Sequence, residues 1–339
     1  MPATWTGLER FHATLRGEPT DRPPVIPVLH IAAAELIGAT IGAYATSART
    51  MADTCIAAYR HYGLDGLQLT LGVAAEASAL GAEIIQPPDN LPKVIRPAIH
   101  APQDLYRLRL PDPARDGLLP LFLDATRLAA REVGEEACIV ATIRGPLNIA
   151  GQIRGIQELM FDLIDQPSYA RELLAFANEV AILYGRAVAA AGAHVIAIGE
   201  ALASPAFISP AYYRTFMREL HTALCAAINA TGAASLLHIC GDIRPILADM
   251  AATGARIIDI DWQVSVAAAR QSAPAPIVLR GNLDPVAALL KGTPGDVRRL
   301  ARAAIAEAAA AQHFVLGSGC DIPPGTPREN IAALVAAAQ

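Results

Sequence analysis

Eight short apolar runs, most of them separated by long alanine- and leucine-rich stretches, constrain this chain more than any other feature. They fall at residues 25–29, 67–71, 139–143, 195–198, 236–239, 257–260, 277–279 and 314–316. Brief apolar runs of this kind are what strands buried on both faces require, and such strands belong to parallel sheets. The stretches between them are long enough to carry helical crossovers. The pattern predicts an α/β fold, specifically a (β/α)8 TIM barrel. A doubly wound open sheet obeys the same alternation, and the count of runs does not exclude it. Ahead of the first run, residues 8–17 read as an amphipathic helix stopped by Gly17, so the barrel is expected to carry an N-terminal helical extension. Residues 84–109 are rich in proline and polar groups and read as an insertion with a short hairpin.

At 339 residues the chain has room for two domains or for one barrel with added segments. It shows no internal repeat, low-complexity tract or interdomain linker, so residues 1–339 are expected to form a single domain. The composition is 53% hydrophobic and 17% charged, which supports a large core and argues against disorder. A net charge of −5 without a basic stripe argues against nucleic acid. No uninterrupted apolar stretch reaches the roughly 18 residues of a membrane span, and the N-terminus lacks the apolar run of a signal peptide. Five cysteines form an odd, sparse set that reads as cytoplasmic thiols and not as a disulfide framework. Ser209-Pro210, Thr293-Pro294 and Thr326-Pro327 each place a capping hydroxyl before a proline, with Asp296 and Glu329 at the capping-box position of the last two.

In a barrel of this kind the active site gathers at the carboxyl ends of the strands. Polar residues at those ends are His30, Thr70, Arg144 with Asn148, Glu200, His238 with Cys240 and Asp242, Asp261 with Gln263, Asn282 with Asp284, and Ser318 with Cys320 and Asp321. Three of them, His238, Cys240 and Cys320, are metal-ligand types. His and Cys two apart on a strand face the same way. The spacing matches no zinc finger, and each residue alone is compatible with a buried structural role. Their shared position at strand ends favours a metal site, and thiolate with imidazole suits Zn2+ better than magnesium or calcium. Three ligands leave one tetrahedral position open for chemistry. Glu200, or a water, is the candidate for that position. Asp242 is expected to cap the following helix, with orientation of His238 as its alternative role. Cys55, Cys138 and Cys225 lie in apolar or helical surroundings and read as core thiols. His194 precedes a strand and reads as structural.

The ordered series of motifs resembles the uroporphyrinogen decarboxylase superfamily over nearly the whole chain. It comprises Leu15-Arg-Gly-Glu-Pro-Thr-Asp-Arg-Pro-Pro24, Glu76-Ala-Ser-Ala-Leu-Gly-Ala-Glu83, Arg144-Gly-Pro-Leu-Asn-Ile-Ala-Gly151, Ile208-Ser-Pro-Ala-Tyr-Tyr213, His238-Ile-Cys-Gly-Asp242, Gly281-Asn-Leu-Asp-Pro285 and Cys320-Asp-Ile-Pro-Pro-Gly-Thr-Pro327. The resemblance is strongest to the corrinoid-dependent branch, which includes the methylcobamide:coenzyme M methyltransferases. The decarboxylases hold a porphyrinogen with an arginine-rich segment after the first strand, and here Leu29-His-Ile-Ala-Ala-Ala-Glu35 has none. Their essential aspartate falls near Gly72, their tyrosine and serine on Gln152 and Ala203, and their late histidine on Ser318. A porphyrinogen decarboxylase is therefore the second reading.

The resemblance implies a His-x-Cys…Cys zinc site at His238, Cys240 and Cys320. It implies methyl transfer from methylcobalamin or another corrinoid to a thiol such as coenzyme M, or to tetrahydrofolate. Arg144, Gln152 and Asn282 are candidates to contact the acceptor. The chain contains no Asp-x-His-x-x-Gly run of the small corrinoid-binding proteins, so a separate corrinoid protein, or free methylcobalamin, is expected as donor.

Overall fold

The computed structural model describes residues 5–308 and 312–339, so the first four residues of the N-terminus lie outside the described residues. Seven strands run parallel in one sheet in the order β1 (Gly66–Leu69), β4 (Cys138–Arg144), β5 (Val195–Gly199), β6 (Ala234–His238), β7 (Ile257–Ile260), β8 (Val278–Leu283) and β9 (Phe314–Ser318). Each overlaps one of the apolar runs read from the sequence. The remaining pair, β2 (Glu83–Ile85) and β3 (Lys93–Arg96), is an antiparallel hairpin inside the insertion.

The first apolar run, 25–29, departs from expectation. It forms a single bridge, Val25 to Leu316, and no regular strand. Pro24 and Pro27 lack the N–H that a ladder needs. The segment nevertheless bonds to both edges of the sheet: Ile26 N donates to Leu316 O at 2.9 Å, and Asp65 N donates to Val25 O at 3.0 Å. The result is a TIM-barrel-like α/β architecture.

The helix Gly7–Arg16 begins at a reciprocal capping box between Thr6 and Glu9 and ends at Gly17, whose φ of +70° favours glycine. Its Phe11 and Leu15 pack into the interior of the sheet against Ile26, Val140, Leu236, Ile257, Val278 and Val315. They form an apolar floor. The polar seam beneath is tied by Asp65, which is buried and accepts from Arg10, from Arg22 at 2.6 Å and from Val25 N at 2.7 Å. The outer helices complete the core. Among them Pro167–Ala190 has the length and hydropathy of a membrane span, but it packs against the helices Pro146–Arg154 and Arg218–Asn229 and buries Leu173, Leu174 and Tyr184.

Two of the three Ser/Thr-Pro starts behave as read. Ser209 accepts from Tyr212 N at 3.3 Å, and Thr293 exchanges bonds with Asp296. Thr326 does not: its hydroxyl donates to Pro323 O at 2.8 Å, and the last helix, Arg328–Ala338, starts after Pro327 without a side-chain cap. The preceding turn competes for the hydroxyl and wins.

His194 is structural. Its Nδ1 accepts from Ile139 N at 3.0 Å, which requires the neutral ring, and burial together with His12 brings its pKa down to about 4. Unfolded, the ring titrates near 6.5. Between these values the unfolded chain binds the extra proton, so stability from this group is full above pH 6.5 and lost as pH falls towards 4. Urea midpoints measured across that window should fall more steeply for the native chain than for a His194→Gln variant. Asp65→Ala strands the guanidinium of Arg22, leaves Arg10 with Asp21 alone, and is expected to cost about 3–5 kcal/mol in denaturant titrations.

Candidate metal centre

The interior side chains change character along the strands. The lower half is apolar, whereas the upper half of the wall is lined by Gln68, Thr70, Thr142, Arg144, His238 and Asp259. These residues, with Cys240, Cys320 and Asp321, enclose a cavity of about 150 Å³ at the carboxyl ends of the strands.

His238 is the last residue of β6, and Cys240 follows two positions later on the same side. Gly241, with φ +87°, turns the chain there, and its N–H donates to Asp261 Oδ2 at 2.9 Å. Cys320 arrives from the end of β9. Gly319 lets it do so, because a Cβ at that position would come 2.6 Å from Trp262 N. Gly319 N donates to Leu283 O at 2.8 Å.

Two loops thus bring the three donors together. His238 Nε2 lies 3.1 Å from Cys240 Sγ and 3.8 Å from Cys320 Sγ, and the two sulfurs are 3.7 Å apart as free thiols. Among the described residues this is the one group of three such side chains close enough to hold a metal ion. The two thiols interact: the bond from Cys320 lowers the Cys240 thiol, and the same contact with burial raises Cys320.

His238 Nδ1 lies 3.0 Å from Asp259 Oδ2. In its neutral form, a ring that donates there presents the lone pair of Nε2 to the two sulfurs. Burial opposes a charged imidazole, yet the bonds to Asp259 and Cys320 bring its pKa up to about 10. Asp259 is in turn held by Arg280, Nε to Oδ1 and Nη2 to Oδ2 both at 2.7 Å. Arg280 also donates to Gln68 Oε1 at 2.7 Å, and Gln68 donates to Thr142 at 3.0 Å. Burial would raise the Asp259 carboxyl, but the charge of Arg280 and the His238 bond hold it below its ordinary value.

The sequence-based candidates divide. Arg144, at the end of β4, lines the cavity, and its Nη2 donates to Thr70 Oγ1 at 3.0 Å. Glu200 lies on the cavity wall but outside the donor group, and its oxygens are committed elsewhere. Oε1 accepts from Asn148 N at 2.7 Å, and Oε2 accepts from Leu147 N at 3.3 Å and lies 3.1 Å from His221 Nε2. His221 continues to Tyr213 OH at 3.0 Å, with all three side chains buried. Glu200 therefore anchors the helix Pro146–Arg154 and is not placed as a fourth ligand. Gln152 sits half-buried on that helix, away from the cavity wall. Asn282 donates to Val264 O at 2.8 Å and braces the loop after β7. Asp242 faces outward and pairs with Arg244, so it neither orients His238 nor caps a long helix.

Asp259 and Arg280 were missed by reading only the strand ends. The available signal was a charged residue within the run 257–260 and another directly after the neighbouring run 277–279, and the parallel register sets them opposite one another. Cys55 and Cys225 are core thiols that burial pushes up to about 12 and about 11, and Cys138 is raised likewise.

A parallel α/β ring that presents imidazole and thiol donors at the carboxyl ends of its strands defines a class of barrel-type proteins with a mouth suited to a metal ion. Residues 6–339 match the family described as Uroporphyrinogen decarboxylase (URO-D), and the chain belongs to that family. The methylcobamide:CoM methyltransferase MtaA of Methanosarcina barkeri is 31% identical over 336 residues, covering 97% of this chain and 96% of that protein. A solved structure of a methyltransferase from Methanosarcina mazei superposes with a TM-score of 0.90 at 30% identity and 98% coverage of each chain. The uroporphyrinogen decarboxylase of Syntrophotalea carbinolica is 26% identical over 282 residues, covering 80% of this chain and 78% of that protein.

Asp259→Asn keeps the shape but removes the carboxylate that orients and polarises His238. It is expected to weaken metal binding about 10- to 100-fold, measured by competition with a chromophoric chelator.

Proposed function

We propose that this protein is a zinc-dependent methyltransferase that moves a methyl group from a methylated corrinoid to a thiol. The observation that carries the reading is the triangle of donor atoms. A tetrahedral zinc with bonds of about 2.3 Å to sulfur and 2.0–2.1 Å to nitrogen has edges of about 3.8 Å between sulfurs and about 3.6 Å between sulfur and nitrogen. The three edges here are 3.7, 3.8 and 3.1 Å. His238, Cys240 and Cys320 would hold the ion. When bound, zinc supplies an open coordination position and the positive charge that keeps a substrate thiol deprotonated at neutral pH.

The chain's own residues do the rest. Asp259 fixes the ring of His238, and Arg280 fixes Asp259, so the donor atoms stay in place while substrates exchange. The apolar floor under Leu236 and Val140 keeps water out from below. The S–CH3 bond forms as the Co–CH3 bond breaks, and the electron pair of the broken bond stays on cobalt. No external oxidant and no protein acid is required for that exchange.

The similarity to MtaA supports a corrinoid donor and a small thiol acceptor such as coenzyme M. Size supports the same choice. A cavity of about 150 Å³ accommodates a molecule of about the size of benzene, which suits a short thiol better than tetrahydrofolate. The donor is read as a corrinoid carried by a separate protein that reaches the open mouth, in a reducing, cytoplasmic setting. The ring itself is read as a closed (β/α)8 barrel, with the segment at 25–29 as its eighth member and the helix Gly7–Arg16 as its extension. Against porphyrinogen decarboxylation stand the small cavity and a wall in which Arg144 is the one arginine, too little charge for a polycarboxylate.

Purified under reducing conditions, the protein should contain close to one zinc per chain, and Cys240→Ala should lose it. With methylcobalamin and a thiol panel, the absorbance of the methylated corrinoid should fall only in the zinc-replete protein. Zinc-free native protein, or efficient conversion of a uroporphyrinogen, would overturn the reading.

A further inference from the structure

Cys240 and Cys320 have a second chemistry open to them besides metal binding. Their sulfurs are 3.7 Å apart as free thiols. A disulfide needs about 2.05 Å between sulfurs, so a closure of roughly 1.7 Å joins them. Each cysteine lies two positions beyond the end of its strand, β6 ending at His238 and β9 at Ser318. The ladder stops before both of them: β6 pairs with its neighbours as far as His238, and β9 pairs with β8 as far as Ser318. Either side chain can therefore move without a change of sheet register.

The five cysteines of the chain differ in access. Cys240 and Cys320 are half-buried and line the cavity, whereas Cys55, Cys138 and Cys225 are fully buried. A small oxidant that enters the cavity meets the first two and not the other three. A peroxide is small enough for a space of about 150 Å³. The thiolate of one cysteine attacks the O–O bond, giving a sulfenic acid and a hydroxide that is protonated to water. The second thiol then attacks that sulfur, the S–S bond forms, and the S–OH oxygen leaves as a second water. Two thiols lose two electrons, and one peroxide is reduced to two waters. A resolving thiol already in contact outruns a second peroxide, so the sulfenic acid is not carried on to sulfinic acid.

We propose that Cys240 and Cys320 form a reversible redox site, which a peroxide closes into a disulfide in the metal-free protein. Metal ligation needs both sulfurs as thiolates, and a disulfide offers none, so the oxidised and metal-bound states exclude one another. The bond ties the mouth across β7 and β8, which stand between β6 and β9 in the sheet. The inference stands on the geometry of the dithiol and is independent of the methyl-transfer reading.

The test treats the full chain, metal-free after dialysis against a chelator or loaded with zinc, with hydrogen peroxide and counts thiols after denaturation. The metal-free protein should lose two of its five thiols and keep three. Mass mapping of peptides should find Cys240 joined to Cys320 within one chain. Dithiothreitol should restore all five thiols, together with zinc uptake measured by competition with a chromophoric chelator. Bound zinc should slow the loss of the two thiols. Cys320→Ser removes the resolving thiol, so Cys240 should be trapped as a sulfenic acid by dimedone, with no internal cross-link. If all five thiols are lost together, if the two are lost as sulfinic acids or as bonds between chains, or if zinc gives no protection, the proposal is overturned. A protein that closes the disulfide yet takes up no zinc keeps the redox site and loses the zinc-dependent reading above.

Discussion

The carboxylate of Asp259, shared between Arg280 and His238, is the contact on which the interior of this molecule depends. It lies in the ring where the wall changes from apolar to polar. An aspartate buried there alone would be prohibitively unstable. Two bonds from Arg280 and the imidazole of His238 satisfy it, and Gln68 takes up the remaining reach of Arg280. The same bonds that neutralise a buried charge also point His238 Nε2 at two thiols. Stability of the ring and readiness of the site are one constraint, because the imidazole cannot turn without uncovering the carboxylate.

Much of the architecture was legible because its causes are local. Strands buried on both faces must be apolar, so all eight runs could be found by inspection and seven of them are strands. The eighth fell short for a reason also written locally, since Pro24 and Pro27 remove ladder donors. The three metal-type residues were visible because few side chains bind metals and these stand at strand ends. Thr326 shows the boundary of such reasoning: a hydroxyl before a proline promises a cap, but the carbonyl of Pro323 lies closer.

The family to which the chain belongs includes proteins named for decarboxylation as well as relatives named for methyl transfer. The fold does not separate them. The wall does. Carboxylates here meet basic partners within the protein, which leaves little cationic surface for a polyacid and a single uncommitted arginine. Glu200 illustrates how easily a strand-end acid is misjudged. From the sequence it is a plausible ligand, but in the fold the backbone N–H groups of Leu147 and Asn148 and the ring of His221 surround it.

The sequence by itself determined the alternation of strand and crossover, the side of the ring on which chemistry gathers, and the donor types available there. These follow from burial, periodicity and ligand chemistry, which act over a few residues. Only the tertiary structure decided which charges meet. Gln68 and Arg280 are 212 positions apart, and Cys240 and Cys320 are 80 apart. Their contacts depend on parallel register and on the close approach that Gly319 permits. Pairing among buried charges is a property of the folded wall, so Asp259 acquires charged partners and Arg144 does not, although both are charged residues on strands of one sheet.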